Sequence, residues 1–321
     1  MAIATRTIGQ STLQVAPLML GGNVFGWTAN EAASFSILDA FVDAGLNFID
    51  TADVYSAWVP GNQGGESETL IGKWLTGSGK RDRVVIATKV AKHTAKRPGL
   101  SSANIQAAIE DSLRRLQTDY VDIYFSHEDD PNVPIEETLG AYQKLIQAGK
   151  VRVIGASNFS GARTLESLRV ADANGLPRYQ ILQPEYNLYS RAAYEAELEP
   201  IAVAEHLGVV PYYSLASGFL SGKYRSVDDL SKSVRGGRGV PKYLNPRGMA
   251  ILAALDQVAE RQGVTQASVA LAWLIARPSI TAPIVSATSA AQVDSFAQAV
   301  RLKLDASDIQ ALDGASAQAQ A

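Results

Sequence analysis

Val84-Val85-Ile86-Ala87-Thr88-Lys89 reads as a strand buried on both faces that ends on a lysine. A buried ammonium without a partner is costly, so this lysine requires a carboxylate or a reaction to serve. The pattern occurs twice more. Phe48-Ile49-Asp50 is an apolar run closing on an aspartate, and Val121-Asp122-Ile123-Tyr124-Phe125-Ser126-His127 is one closing on a histidine. With helical patterns between them, these runs describe parallel strands whose ends gather Asp50, Lys89 and His127 into one polar site.

Outward from these three, strand-like and helix-like segments alternate almost throughout. Strands are expected near 17–21, 47–52, 84–89, 121–126, 151–156, 179–183, 208–213 and 280–285. Helices are expected near 31–45, 67–77, 101–117, 135–149, 161–174, 195–207, 248–262 and 289–300, with an extra one over 265–277. Gly45, Gly149, Gly175 and Gly208 stand where helices would need a left-handed C-cap. About eight βα units is the number that closes a TIM barrel of roughly 250 residues plus insertions. An open doubly wound sheet is the alternative, but it usually carries a G-x-G-x-x-G turn after its first strand, and Leu20-Gly21-Gly22-Asn23 does not fit. The expectation is therefore α/β, a (β/α)8 TIM barrel in a single domain over residues 1–321, with Gly314 to Ala321 fraying.

Composition narrows the function classes. The 321 residues are 46% hydrophobic, as a large core requires, and a net charge of −3 offers no electrostatic case for nucleic acid or an anionic membrane. The absence of cysteine excludes disulfides, thiolate ligands and a cysteine nucleophile, and fits a cytoplasmic address. No basic-then-apolar leader opens the chain and no apolar run is long enough to span a bilayer. Histidine and carboxylate spacings suggest no metal site; of the other histidines, His206 reads as structural in a helix and His93 as surface. Two long loops, Ser56 to Glu66 and Ser217 to Pro246, follow strands, and in a barrel such loops lie on the face that carries chemistry.

Taken singly, Asp50–Lys89 is equally a structural ion pair, His127 a core histidine and Tyr55 a loop tyrosine. Their joint occurrence at successive strand ends makes a catalytic set. Phe48-Ile49-Asp50-Thr51-Ala52-Asp53-Val54-Tyr55, then Lys89, then His127, resembles the Asp–Tyr–Lys–His tetrad of the aldo-keto reductases. Gly155-Ala156-Ser157-Asn158-Phe159, Gln183-Pro184-Glu185-Tyr186-Asn187 and Leu215 to Lys223 resemble further family blocks in the family's order, so the likeness covers nearly the whole chain. It is nearest to bacterial members related to potassium-channel β-subunits.

The resemblance implies hydride transfer between a nicotinamide cofactor and a small-molecule carbonyl or alcohol. Tyr55 would be general acid in reduction and general base in oxidation. An unperturbed tyrosine, with a pKa of ~10, is a poor acid, and the Lys89 ammonium would lower it; a shift of about two units is worth ~2.7 kcal/mol. Asp50 would neutralise and orient Lys89, and His127 would orient the carbonyl or share in proton transfer. Ser157, Asn158 and Gln183 would hold the nicotinamide carboxamide. Tyr212, aligned without gaps, takes the stacking position, although Tyr213-Ser214 departs from the family's Ser-Pro. Leu215, Ala216, Ser217, Gly218 and Lys223 resemble the segment over the pyrophosphate, and Gly22, Asn23 and Asp50 also belong to the cofactor side. Ser286, Thr288 and Gln292 resemble the adenosine end, where the arginine that many relatives place at 288 is missing, as are their Glu and Asn at 295 and 296. Arg235 from the long loop would supply charge, so NADP(H) is expected and NAD(H) is the alternative. Phe25, Trp27 and Trp58 would form an aromatic substrate mouth beside Tyr55 and His127. Two other readings remain at this point: a non-catalytic nucleotide-sensing partner subunit, and a Schiff-base aldolase using Lys89.

Overall fold

The computed structural model describes residues 3–92, 97–234 and 236–317. The chain opens with a hairpin of two short antiparallel strands, β1 (Arg6–Thr7) and β2 (Gln14–Val15). Eight parallel strands follow: β3 (Met19–Gly21), β4 (Phe48–Asp50), β5 (Val85–Val90), β6 (Val121–Ser126), β7 (Val151–Ser157), β8 (Ile181–Gln183), β9 (Gly208–Val209) and β10 (Ile284–Val285). From β3 to β9 each strand pairs with the next in chain order, and β10 pairs with β3. The remaining seam is closed by Thr281 N–H donating to Val209 O at 2.8 Å and Ile284 N–H to Pro211 O at 2.9 Å. The sheet is thus a (β/α)8 barrel, as expected from the alternation.

The strands are short and nearly all buried because both faces of a barrel sheet are covered. Inward-facing Met19, Phe48, Ala87, Ile123, Phe125 and Ile181 fill the interior, and the hairpin adds Ile8, Leu13 and Val15 to the same cluster, plugging one end. Gly155 on β7 is required there, since a Cβ would lie 2.4 Å from the Phe125 ring.

Outside run α1 (Glu31–Asp43), α2 (Glu66–Ser78), α3 (Ser102–Leu116), α4 (Ile135–Gln147), α5 (Gly161–Asn174), α6 (Glu199–Ala204), α7 (Gly236–Gly239), α8 (Pro246–Gln262), α9 (Gln266–Ile275), α10 (Ala291–Arg301) and α11 (Ala306–Ser316). Asn30, Ser101, Ser160, Asn245 and Thr265 cap their helices by accepting a backbone N–H, which explains where these helices start. Among the described residues no helix is long and apolar enough to cross a membrane.

Three local expectations need correction. The helix expected over 195–207 begins as a π-turn over Tyr194–Leu198 and ends at Ala204; the left-handed residue after it is His206, not Gly208. Gly208 instead starts β9, where a Cβ would stand 3.3 Å from the Gly9 amide nitrogen, so it serves close packing against the hairpin. Gly314 to Ser316, expected to fray, form the last turn of α11, held by Arg191 and Arg247 bonding Ser316. Residues 318–321, and His93 of the sequence reading, lie outside the described residues.

Candidate active site

Parallel pairing sets all the strand ends at one rim. Asp50 is the last residue of β4 and Lys89 the last but one of β5; His127 follows β6, Ser157 ends β7 and Gln183 ends β8. Tyr55 reaches the same point from the loop after β4. The Lys89 ammonium, wholly buried, stands 2.6 Å from Asp50 Oδ1. It donates to Thr51 O and to the Tyr55 hydroxyl, each at 2.8 Å, so all three of its protons are engaged. Tyr55 donates in turn to Asp50 Oδ2 at 2.9 Å, and Gln183 Nε2 donates to Asp50 Oδ1 at 3.0 Å. Burial of this kind is tolerable because every charge has its counter-charge and hydrogen bonds.

The electrostatics differ from the sequence expectation at one point. Burial, and then the Asp50 carboxylate that accepts its hydrogen bond, push the Tyr55 phenol well above the ordinary tyrosine range rather than below it. Burial lowers the Lys89 ammonium's pKa, with Asp50 opposing. His127 is driven well below its usual pKa by burial and by Lys89 and Lys92, so it is neutral at pH 7. Its ring packs edge-on to Tyr55 at 6.0 Å, and its buried Nδ1 has no protein partner.

The rim opens into a cavity of about 650 Å³ lined by Asp50, Tyr55 and His127. Ser157, Asn158, Gln183, Tyr212, Tyr213, Ser214, Leu215, Ser217, Gly218 and Lys223 continue the wall, and Asn23, Ser286, Thr288 and Gln292 form its far end. Asn158, in a left-handed conformation, donates to His127 O at 2.8 Å and accepts from the Tyr212 hydroxyl at 2.9 Å. Ser157 Oγ donates to Gln183 O at 2.9 Å. At the far end Ser286 Oγ donates to Asn23 Oδ1 at 2.5 Å, and Gln292 Oε1 accepts the Thr288 N–H at 2.8 Å. Donors and acceptors therefore run the length of an elongated cavity whose volume suits a small-molecule or cofactor site.

Other expected residues stand elsewhere. Phe25 is sealed in the core, with its carbonyl accepting from Ser56 Oγ, and does not line the cavity. Trp27 braces the mouth from behind, edge-to-face with Trp58 at 5.7 Å, while Trp58 itself is 45% exposed and faces Tyr55. Gly22 and Ala216 are buried behind the wall, Gly22 because a Cβ there would meet Asp50 O at 2.8 Å. Arg235 lies outside the described residues. Sequence reasoning missed Thr28, Lys92 and Ser233, which line the cavity. Of these only Lys92 carried a signal, as a second cation three residues beyond Lys89.

The model of the Aldo/keto reductase family matches residues 17–317. The oxidoreductase YrpG of Bacillus subtilis (strain 168) is 33% identical over 306 residues, 93% of this chain and 91% of that one. An aryl-alcohol dehydrogenase of Pestalotiopsis microspora is 31% identical over 318 residues, 94% of this chain and 79% of that one. A probable voltage-gated potassium channel subunit beta of Arabidopsis thaliana is 31% identical over 306 residues, 92% and 90% of the two chains.

Proposed function

The chain belongs to the aldo/keto reductase family, and on that premise we propose that it reduces aldehydes or ketones, and oxidises the corresponding alcohols, with Tyr55 as the proton donor and acceptor. The observation that carries this reading is the hydrogen-bonded set of Asp50, Tyr55 and Lys89 beside neutral His127 at the mouth of the cavity. NADPH is the preferred cofactor, with Ser157, Asn158 and Gln183 on its carboxamide, Tyr212 and Tyr213 beside the ring, Ser214, Leu215, Ser217, Gly218 and Lys223 along the pyrophosphate, and Thr288 and Gln292 at the adenosine end. When bound, the reduced nicotinamide supplies the hydride.

The remaining steps belong to the protein. A carbonyl oxygen entering the mouth replaces Asp50 as the acceptor of the Tyr55 hydroxyl. Neutral His127 offers a ring N–H to the same oxygen and so fixes its position. As negative charge develops on that oxygen, Tyr55 transfers its proton, and the phenolate left behind is stabilised by the Lys89 ammonium already bonded to it. The raised pKa of the resting phenol keeps the proton on Tyr55 until the developing alkoxide, a stronger base, takes it. In oxidation the proton moves back.

Trp58 and Tyr213, both exposed on the cavity, favour planar aromatic carbonyl substrates such as aryl aldehydes and quinones. The aldolase reading is weak because Lys89 has no free proton position or lone pair to attack a carbonyl. The partner-subunit reading draws on the printed names of relatives from Arabidopsis thaliana and Oryza sativa subsp. japonica. A panel of aryl and alkyl aldehydes, assayed by loss of reduced-nicotinamide absorbance with wild type and Tyr55→Phe, tests the proposal. Absence of turnover on every carbonyl, with the cofactor still bound, would leave the sensing role.

A further inference from the structure

Behind the tetrad lies a second set of charges, with Glu68 buried and Asp53 and Arg115 half-buried. Glu68 of α2, wholly buried, accepts from Thr88 Oγ1 at 2.5 Å and from Arg115 Nε of α3 at 2.7 Å. Asp53 lies between Asp50 and Tyr55 in the loop after β4, and its backbone N–H donates to Lys89 O at 3.3 Å. The groups whose charge reaches it are Glu68, Arg115 and Lys89, and it acts in turn on the hydroxyls of Tyr124 on β6 and Tyr142 on α4. Asp50 is matched by Lys89, and Glu68 by Arg115. Among the described residues no ion pair forms to Asp53, which Arg115 and Lys89 reach only while paired elsewhere; the Val54 backbone bonds its carboxylate, but its Oδ1 is shut off from solvent with no hydrogen-bond partner, and so is the Tyr124 hydroxyl. Three carboxylates share two cations, so the third is most easily accommodated as a neutral acid.

We propose that Asp53 is a positioning residue that acts through Lys89: protonated, it leaves the ammonium's charge undiminished beside the Tyr55 phenolate, and ionised, its own charge offsets that of the ammonium and weakens proton donation. The inference rests on the reading of Tyr55 as proton donor. No bond is made to Asp53. Its proton is exchanged with water, while the proton delivered to the substrate oxygen is that of Tyr55, later restored from solvent. Burial and the like charge of Glu68 raise the Asp53 carboxyl to about 7, which puts its ionisation inside the working range.

Two measurements on the full chain test this. In the first, kcat/KM for carbonyl reduction is followed from about pH 5.5 to 8.5 in wild type and Asp53→Asn. Wild type should fall by about tenfold through a step centred near neutrality, the effect of a one-unit change in the Tyr55 pKa. Asp53→Asn, which imitates the neutral acid, should stay flat across that range. In the second, without substrate, infrared difference spectra between the two pH limits should show a protonated-carboxyl band that disappears on raising the pH and is missing in Asp53→Asn. Glu68→Gln removes the like charge and should move the band's midpoint to lower pH, which covers the case of an Asp53 variant that fails to fold. A wild-type step that persists in Asp53→Asn, or a carboxyl band unchanged by both substitutions, overturns the proposal. Should no carbonyl be reduced by wild type, the functional reading fails by itself while the infrared titration still decides whether Asp53 holds a proton.

Discussion

The Tyr55 hydroxyl donates its proton to Asp50 Oδ2 at 2.9 Å, so in the resting protein the proposed acid is hydrogen-bonded to a carboxylate rather than poised toward the cavity. A substrate oxygen must take over that hydrogen bond. Tyr55→Phe keeps the ring and its contact with His127 but deletes the proton. It is expected to lower kcat by about 10²-fold or more, in the range of general acid–base catalysis. The dissociation constant for the cofactor, measured by quenching of tryptophan fluorescence, should change by no more than about twofold. Near-wild-type reduction by this variant would remove Tyr55 from the chemistry.

Lys89→Met tests the other side of the same cluster. It leaves Asp50 buried with only Gln183 and Tyr55 as donors. Breaking a buried pair in this way costs about 3–5 kcal/mol. A fall in Tm with loss of activity is expected. A stable Lys89→Met protein with intact activity would mean that the pair contributes to neither.

His127 gives a prediction of sign. Its folded pKa lies well below the ordinary value, so its contribution to stability is present above about pH 6.5 and is lost as the pH falls toward the folded pKa. Over that window the loss approaches about 1.4 kcal/mol per pH unit, because the unfolded chain binds a proton that the fold refuses. His127→Gln should lack this slope. Chemical denaturation of both proteins at several pH values between about 5 and 7.5 measures the difference, and parallel curves would contradict the burial argument.

Asp53 has the opposite dependence. Its folded carboxyl is raised from 3.8 to about 7, so stability is unaffected below about pH 4 and declines as the pH rises to 7, where the fold retains a proton that the unfolded chain has released. Asp53→Asn should therefore match wild type near pH 4 and exceed it above pH 7, by an amount on the order of a few kcal/mol. Equal Tm values at pH 8 would show that the ionised carboxylate is tolerated without cost.

The ends of β4, β5 and β6 were legible because a charged residue closing an apolar run is anomalous in a one-dimensional pattern. Helix ends were legible for a similarly local reason, since Gly45, Gly149 and Gly175 supply the left-handed residue that stops a helix wherever the chain goes next. The hairpin that plugs the barrel was not, because strands of two residues carry no periodicity. Phe25 and Trp27 are close in sequence, yet one is core and the other braces the mouth; that division depends on how the turn after β3 packs on α2. The direction of the Tyr55 shift was likewise hidden. It follows from which neighbour meets the hydroxyl as acceptor, and Asp50 and Lys89 both reach it. The orphan oxygen of Asp53 emerges only when Glu68 and Arg115, from two different helices, are seen to satisfy each other.

Cofactor choice turns on the far end of the cavity. The 2′-phosphate that distinguishes NADPH is close to a dianion and must be met by donors. Thr288 offers a hydroxyl, and Gln292, whose Oε1 is already taken by the Thr288 N–H, has its amide N–H groups to give. Such neutral bonds are about half as strong as charge-assisted ones, so the NADPH preference should be modest. Arg235, on the long loop, is the proposed source of charge, and its effect should weaken with salt because exposed charges are screened within ~8–10 Å. Dissociation constants for NADPH and NADH, measured for wild type, Arg235→Ala and Thr288→Arg, test each part. Thr288→Arg should tighten NADPH about tenfold or more while leaving NADH nearly unchanged, since a charge-assisted bond to phosphate is worth about 1.5–3 kcal/mol. Arg235→Ala should bring the two constants together. Tighter binding of NADH by wild type would reverse the preference, and an unchanged ratio in Arg235→Ala would exclude that arginine from the site.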